Sequence, residues 1–304
     1  MESSRNFEVE TSHRHATRGG LANTVGYAGS WELVQCQGIG QWSRVYSARP
    51  RGSEAGHPAD YAVKIATMEA HKRRQAAQLL AREATVSRVV MHPHLVAVLA
   101  AELDSDPPFL VMPLMRGTTL DVVLHEMGRI VAPHALWMAR QLAEALVELH
   151  ANGWMHADVK PANVHVSPTG HATLIDLGFS LKLDSGECSA GSPMRGSLTY
   201  TPPEMISAAV PVDGRCDIYS LGVTLYELLT GSPPFQESDP GRLMLAHLQR
   251  GVPNLRHRVP AIPRGIWDLL QDMLAKEPLR RPTADELVQR LVALEIATLE
   301  ERAA

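Results

Sequence analysis

The sequence predicts an α+β chain in two parts, a small strand-dominated one followed by a larger, mostly helical one. Three observations carry this. Between Trp31 and Leu114, short runs rich in Val, Tyr, Ile and Phe are separated by turn residues, the mark of β-strands. One segment of that block, residues 70–90, is instead rich in Ala, Leu, Arg and Gln and suits a single helix. Beyond Gly117 the apolar residues recur at three- and four-residue steps, the period of helices with one buried face.

Residues 1–29 are polar and lack periodicity, so a flexible N-terminal tail is expected. Residues 31–34 (Trp-Glu-Leu-Val) and 44–47 (Arg-Val-Tyr-Ser) read as two strands joined by a turn that holds Gly38 and Gly40. After the polar stretch 51–60, residues 61–65 read as a third strand, and the helix follows. Two further strands, near 97–102 and 109–114, flank a turn at 104–108, and residues 113–117 are the expected hinge. In the second part, Met138, Leu142, Ala145, Leu146 and Leu149 line one helix face, while residues 218–229 are apolar almost all round, as a central buried helix is. Thr283 caps the last helix, with Glu286 three residues on completing a capping box. The domain is thus expected over residues 30–298, its parts at 30–113 and 118–298, with a C-terminal tail at 299–304.

At 304 residues and 45% hydrophobic, the chain has material for one large core, or for two parts sharing a cleft. A formal net charge of -4 gives no basic excess of the kind a nucleic-acid partner requires. Cys36, Cys188 and Cys216 show neither metal-like nor disulfide-like spacing; this sparse, odd count suits a reducing compartment, so a cytoplasmic location is expected. No apolar run approaches the ~20 residues that cross a bilayer, and the first residues lack the apolar stretch of a secretory signal. No membrane segment is expected in this chain, and its oligomeric state is left open.

Phosphoryl transfer asks a protein for positioning and charge neutralisation, with little covalent work. It needs a phosphate cradle, a fixed cation, metal-binding oxygens and a carboxylate beside the acceptor hydroxyl. The run from Gly38 through Gly40 and Ser43 to Val45 is the candidate cradle, since glycines let the backbone approach phosphate oxygens. By itself this pattern is usually an ordinary hairpin, and Ser43 stands where a third glycine would complete it. Lys64, in Ala62-Val63-Lys64, is the candidate cation; a lysine so placed in a strand ordinarily points to solvent, and here it would have to point inward.

The strongest run is His156-Ala157-Asp158-Val159-Lys160-Pro161-Ala162-Asn163, followed by Asp176-Leu177-Gly178. Pro161 keeps the segment from being a regular helix, so Asp158 can face an acceptor hydroxyl and Asn163 a metal ion. Asp176, after an apolar strand and before Gly178, is placed to be a second metal ligand. Each residue alone reads as a turn-forming Asx residue, and that reading loses force once all occur in this order.

With these motifs the chain resembles the protein kinase family, in its eukaryotic-like serine/threonine branch, over about residues 31–294. The resemblance implies a bilobal protein-kinase fold, with a small antiparallel β-sheet lobe carrying one main helix and a larger helical lobe. It implies transfer of the γ-phosphoryl group of ATP-Mg²⁺ to Ser/Thr hydroxyls of a protein substrate. In it Gly38, Gly40 and the backbone near Ser43 cover the phosphates, and Val45 and Ala62 roof the adenine. Met112, Pro113 and Met115 run along the adenine edge. Lys64 holds the α- and β-phosphates and is fixed by Glu83. Asp158 is the catalytic base, Lys160 meets the γ-phosphate, and Asn163 and Asp176 bind Mg²⁺. Glu204 of Pro202-Pro203-Glu204 would form a buried ion pair with Arg281, and Asp217-Ile218-Tyr219 resembles the start of the family's central helix. Lys160 favours Ser/Thr over Tyr specificity.

Departures from the family pattern carry expectations of their own. Ala157 replaces the arginine that, in many relatives, binds a phosphorylated activation segment, so weak dependence on phosphorylation at Ser189 and Ser192 is expected. Ser87 replaces an apolar residue one turn after Glu83, which would leave that helix mobile, and His165 replaces an aliphatic one beneath the adenine. Ser197 matches a hydroxyl that contacts Asp158, and Tyr200 is a conceivable self-phosphorylation site. Two rival readings compete. A nucleotide-binding pseudokinase scaffold is opposed by the full set Lys64, Glu83, Asp158, Lys160, Asn163 and Asp176. A small-molecule phosphotransferase is opposed by the Pro-Pro-Glu segment and the context of Lys160.

Overall fold

Alternation of side chains along extended backbone builds the first of two units in the chain. A computed structural model describes residues 24–54, 56–183, 197–207 and 211–298. Ser189, Ser192, Cys188 and the expected C-terminal tail lie outside those residues. The first unit comprises the described residues through Arg88 together with Ala97–Met115, and the second comprises Val89–Val96 and the described chain from Arg116 on.

In the first unit, strands β1 (Gly26–Ala28), β2 (Trp31–Ile39), β3 (Ser43–Pro50), β4 (Tyr61–Ala66), β5 (Ala100–Glu102) and β6 (Phe109–Pro113) form one sheet, ordered β1-β2-β3-β4-β6-β5. Every neighbouring pair is antiparallel. Val63 and Ile65 pack with Leu33, Tyr46, Ala48, Phe109 and Val111 on one face. Successive strand residues point to opposite faces, so Ala62, Lys64 and Ala66 face the other way. There helix α1 (Arg73–Val89) sets Ala76, Leu80 and Ala84 against Ala66 and Leu110.

Two strand expectations are corrected. Residues 1–23 of the expected tail lie outside the described residues, and within its remainder Gly26–Ala28 pairs with β2 through a turn at Gly29, whose φ of +54° suits glycine. Ladder hydrogen bonds need backbone alone, so a polar sequence is no bar to this pairing. β2 also runs on through Gly38 to Ile39, and only Gly40-Gln41-Trp42 remains as the turn to β3.

The second unit holds short strands β7 (Thr118–Thr119), β8 (Trp154–Met155), β9 (Val164–Val166), β10 (Ala172–Leu174) and β11 (Leu181–Lys182). These form a three-stranded sheet β10-β9-β7 and a pair β11-β8. Its helices are α2 (Leu120–Met127), α3 (Ala132–Ala151), α4 (Pro203–Ser207), α5 (Arg215–Thr230), α6 (Pro240–Gln249), α7 (Arg264–Met273) and α8 (Ala284–Ala297). The α3 face expected from its period is buried, and α5 is buried continuously from Cys216 to Tyr226. Gly222 lets α5 approach α7 closely: a Cβ there would lie 2.9 Å from that of Met273. Thr283 and Glu286 form the expected capping box at the start of α8. The α+β class read from the sequence is therefore borne out. Among the described residues, no helix is long and apolar enough to cross a membrane.

A buried histidine makes this unit's stability depend on pH. His247 on α6 is fully buried, shares a 2.9 Å hydrogen bond with the Tyr219 hydroxyl and packs edge-on against Phe235. Its Nε2 has no well-formed hydrogen bond among the described residues. Burial, and then the nearby Lys276 cation, push its pKa down to about 4. The neutral ring is the folded form, so its contribution is present above the ordinary value near 6.5 and is lost as pH falls toward 4. Urea unfolding at pH 5 should give a stability lower than at pH 7 by on the order of 1–2 kcal/mol. That difference should shrink in His247→Gln.

Candidate active site

The expected site residues divide between the two units. In the first, strand register groups four of them. Val45 lies opposite Lys64, Met112 lies opposite Ala62, and directly paired residues share a sheet face. Val45, Ala62, Lys64 and Met112 therefore occupy the α1 side of the sheet. Lys64 is 8% exposed, so it points inward, against the ordinary habit of a strand lysine. Its Nζ lies 2.6 Å from Oε2 of Glu83, which α1 brings there on the same face as Ala76, Leu80 and Ala84. A buried cation without a carboxylate is costly, and this pair removes that cost.

Gly38 and Gly40 are not explained by the fold itself. Neither has a positive φ, and a Cβ built at Gly38 meets no described atom within 4 Å. At Gly40 the nearest atom is the Ser43 carbonyl at 3.4 Å, an ordinary contact. The turn is closed by the Gly40 N–H donating to that carbonyl at 2.8 Å. Pro113 ends β6 on the surface, and Met115 is the last residue of the first unit.

In the second unit the run around Asp158 is held from below by a residue to which no role was given from sequence. Asp217, in the first turn of α5 and fully buried, accepts the N–H groups of His156 and Ala157, each at 2.8 Å, and bonds His150 Nε2 at 2.9 Å. Burial works against its charge, yet these hydrogen bonds hold its carboxyl below the usual range. Ala157 adopts a φ of +62°, uncommon for a residue with a side chain. The two bonds to Asp217 hold it there. His156, also fully buried, links the run to Ile175 O at 3.1 Å and to the N–H of Asp158 at 3.3 Å.

Asp158 is 5% exposed. Its Oδ2 accepts Lys160 Nζ at 2.7 Å and Asn163 Nδ2 at 2.8 Å, so three residues predicted as one group meet around one oxygen. Pro161–Asn163 forms the single irregular turn that allows this. The Asn163 carbonyl accepts the Ile175 N–H at 2.9 Å, which brings Asp176, next along the chain and at a φ of +65°, beside the same loop. His165 on β9 is half-buried between Thr119 and Thr173, and burial lowers its pKa.

One side-chain expectation changes, and two other singled-out residues acquire a structural setting. At Ser197 the backbone N–H, and not the hydroxyl, reaches Asp158, at 3.4 Å from Oδ1. Thr201, which the sequence did not single out, donates its hydroxyl to the Ser197 carbonyl at 3.0 Å. Ser87 spends its hydroxyl on the Glu83 carbonyl one turn back, at 2.9 Å, so it leaves no unpaired group on α1. Tyr200 donates its hydroxyl to Glu227 at 2.6 Å, and burial followed by that carboxylate raises its pKa far above the usual tyrosine range.

The expected structural ion pair is present in two-pronged form. Arg281 Nη1 and Nη2 lie 2.6 and 2.8 Å from the Glu204 oxygens, both residues almost fully buried.

The protein kinase domain family model matches residues 31–292. A probable serine/threonine-protein kinase of Clostridium perfringens is 32% identical over 85% of this chain and 37% of its own length. The serine/threonine-protein kinase PknH of Mycobacterium tuberculosis is 33% identical over 82% of this chain and 39% of its own. The serine/threonine-protein kinase PkaB of Streptomyces coelicolor is 32% identical over 76% of this chain and 56% of its own. The chain thus spans less than two thirds of the length of each of these relatives. Fold, motif order and family match agree, and the chain belongs to the protein kinase family.

Proposed function

We propose that this chain transfers the γ-phosphoryl group of ATP, bound with Mg²⁺, to serine or threonine hydroxyls of protein substrates. The observation that carries the reading is the environment of Asp158. One carboxylate oxygen is taken by Lys160 and Asn163, while the other meets only the long Ser197 N–H contact among the described residues. That leaves Oδ1 to accept a hydroxyl proton, with its partner oxygen fixed. The Lys160 ammonium lies beside it to meet charge on the transferred group.

Lys64, fixed by Glu83, would hold the α- and β-phosphates, and the backbone from Gly38 to Ser43 would lie over them, since a Cβ-free Gly38 leaves room for close approach. Val45, Ala62, Met112, Pro113 and Met115 would receive the adenine. The residues fit a hard cation. With Nδ2 of Asn163 committed to Asp158, its amide oxygen can ligate, and Asp176 supplies a carboxylate. Oxygen donors this few suit Mg²⁺, which completes its shell with water and phosphate. When bound, the ion neutralises charge on the phosphate oxygens.

The test is incubation with radiolabelled ATP-Mg²⁺ and a generic basic protein, followed by phosphoamino-acid analysis. Label on phosphoserine and phosphothreonine is expected. ATP binding without transfer would favour the scaffold reading, and transfer confined to small metabolites would favour a small-molecule phosphotransferase; either overturns the proposal.

A further inference from the structure

The turn that borders Asp158 is held from two sides. Ser197, whose N–H reaches Oδ1 of Asp158, leads into the single turn Leu198–Tyr200, and these residues are half-buried. α5 secures the far end of the turn. Ser220 donates its hydroxyl to the Tyr200 carbonyl at 2.8 Å, and Glu227 accepts the Tyr200 hydroxyl. Leu198 and Thr199, between these anchors, lie against α6. The Leu198 side chain packs on Phe235, Leu243 and Ala246, and the Thr199 backbone carbonyl lies beside His247.

The His247 ring cannot turn away from that carbonyl without losing its own supports. It is fully buried, set edge-on to Phe235, and bonded through Nδ1 to the Tyr219 hydroxyl at 2.9 Å. A neutral imidazole has one donor and one acceptor nitrogen. A carbonyl can only accept, so the Thr199 oxygen selects the tautomer with its hydrogen on Nε2, which leaves Nδ1 to accept from Tyr219. Lys276, the cation nearby, is itself a donor, to the Ala246 carbonyl at 3.5 Å, and offers Nε2 no acceptor. The Thr199 contact falls short of a full hydrogen bond. A buried donor in that position gains whenever the turn closes onto it.

We infer that His247 is a positioning residue for the protein substrate. Through the Thr199 carbonyl it holds the Leu198–Tyr200 turn where the Ser197 N–H meets Asp158. This role rests on the function proposed above, since the turn borders the carboxylate oxygen that would accept the substrate hydroxyl's proton.

Two single variants separate the ring's two nitrogens. His247→Gln carries an amide N–H to the place of Nε2 and gives up the acceptor for Tyr219, whereas His247→Asn keeps a polar group near Nδ1 and does not reach Thr199. For loss of one hydrogen bond, KM for a basic protein substrate should rise about three- to tenfold in His247→Asn and stay within about twofold of wild type in His247→Gln. KM for ATP should not move in either. Backbone hydrogen exchange, which needs no substrate, should be faster in His247→Asn at Tyr200 and Thr201, whose N–H groups bond the Ser197 and Leu198 carbonyls. In His247→Gln it should match wild type there, and over α5 it should match in both. Equal KM in the two variants, or no faster exchange in His247→Asn, would overturn the positioning role. Absence of transfer to protein by the wild-type chain would overturn the proposed function instead, and exchange would still decide whether His247 holds the turn.

Discussion

Asp158→Asn is expected to lower kcat for phosphoryl transfer by about 10²–10⁴-fold, the range that removal of a positioned proton acceptor produces. The substitution is nearly isosteric, and the loop around it is anchored elsewhere: Asp217 holds the backbone of His156 and Ala157, and Asn163 donates to the Asp158 carbonyl as well as to its side chain. The fold should therefore survive, and ATP affinity should change little, because the groups proposed to hold nucleotide are Lys64, Asn163 and Asp176. An effect on kcat with KM for ATP unmoved marks an interaction made in the transition state and not in the ground state. Steady-state kinetics with direct ATP-binding measurements separate the two. A fall in kcat of less than about tenfold would remove Asp158 from the role of proton acceptor. A matching loss of ATP affinity would instead move it into the nucleotide site.

Much of this arrangement was legible from the chain because its signals are local. The α3 stripe, the all-round burial of α5 and the capping box at Thr283 each follow from spacings of three to eleven residues. Asp158, Lys160 and Asn163 also lie within one turn-rich stretch, although their spacing did not specify that they would meet around one oxygen. What escaped depends on partners far along the chain. Asp217 bonds backbone groups 60 and 61 residues upstream, and the one local hint was an acid in the first turn of an otherwise apolar helix. β2 continues through Gly38 because β3 pairs with it there, and cross-strand pairing overrides glycine's weak strand preference. At Ser197 the sequence directs attention to the hydroxyl, whereas the group that faces Asp158 is one every residue but proline possesses.

The ion pair of Glu204 and Arg281 was expected from the sequence, and its surroundings set the size of the second large effect. The Arg281 guanidinium donates to both Glu204 oxygens and to the carbonyls of Ala275, Arg215 and Lys276, and lies 4.8 Å from the centre of the Tyr219 ring. Arg281→Ala strips all of these at once and leaves the Glu204 carboxylate, 2% exposed, with the Cys216 thiol, donating to Oε1 at 2.9 Å, as its remaining hydrogen-bond partner among the described residues. Breaking such a buried pair costs about 3–5 kcal/mol, a large share of the roughly 5–15 kcal/mol by which a folded domain is stable. Arg281→Lys should recover only part of the loss, because one ammonium cannot bridge two carboxylate oxygens and three carbonyls. Glu204→Gln with Arg281→Met should be less damaging than Arg281→Ala alone, since no charge is then left buried without a partner. Urea unfolding of the four proteins orders these outcomes. If Arg281→Ala shifts stability by less than about 1 kcal/mol, the guanidinium is not what compensates the buried carboxylate.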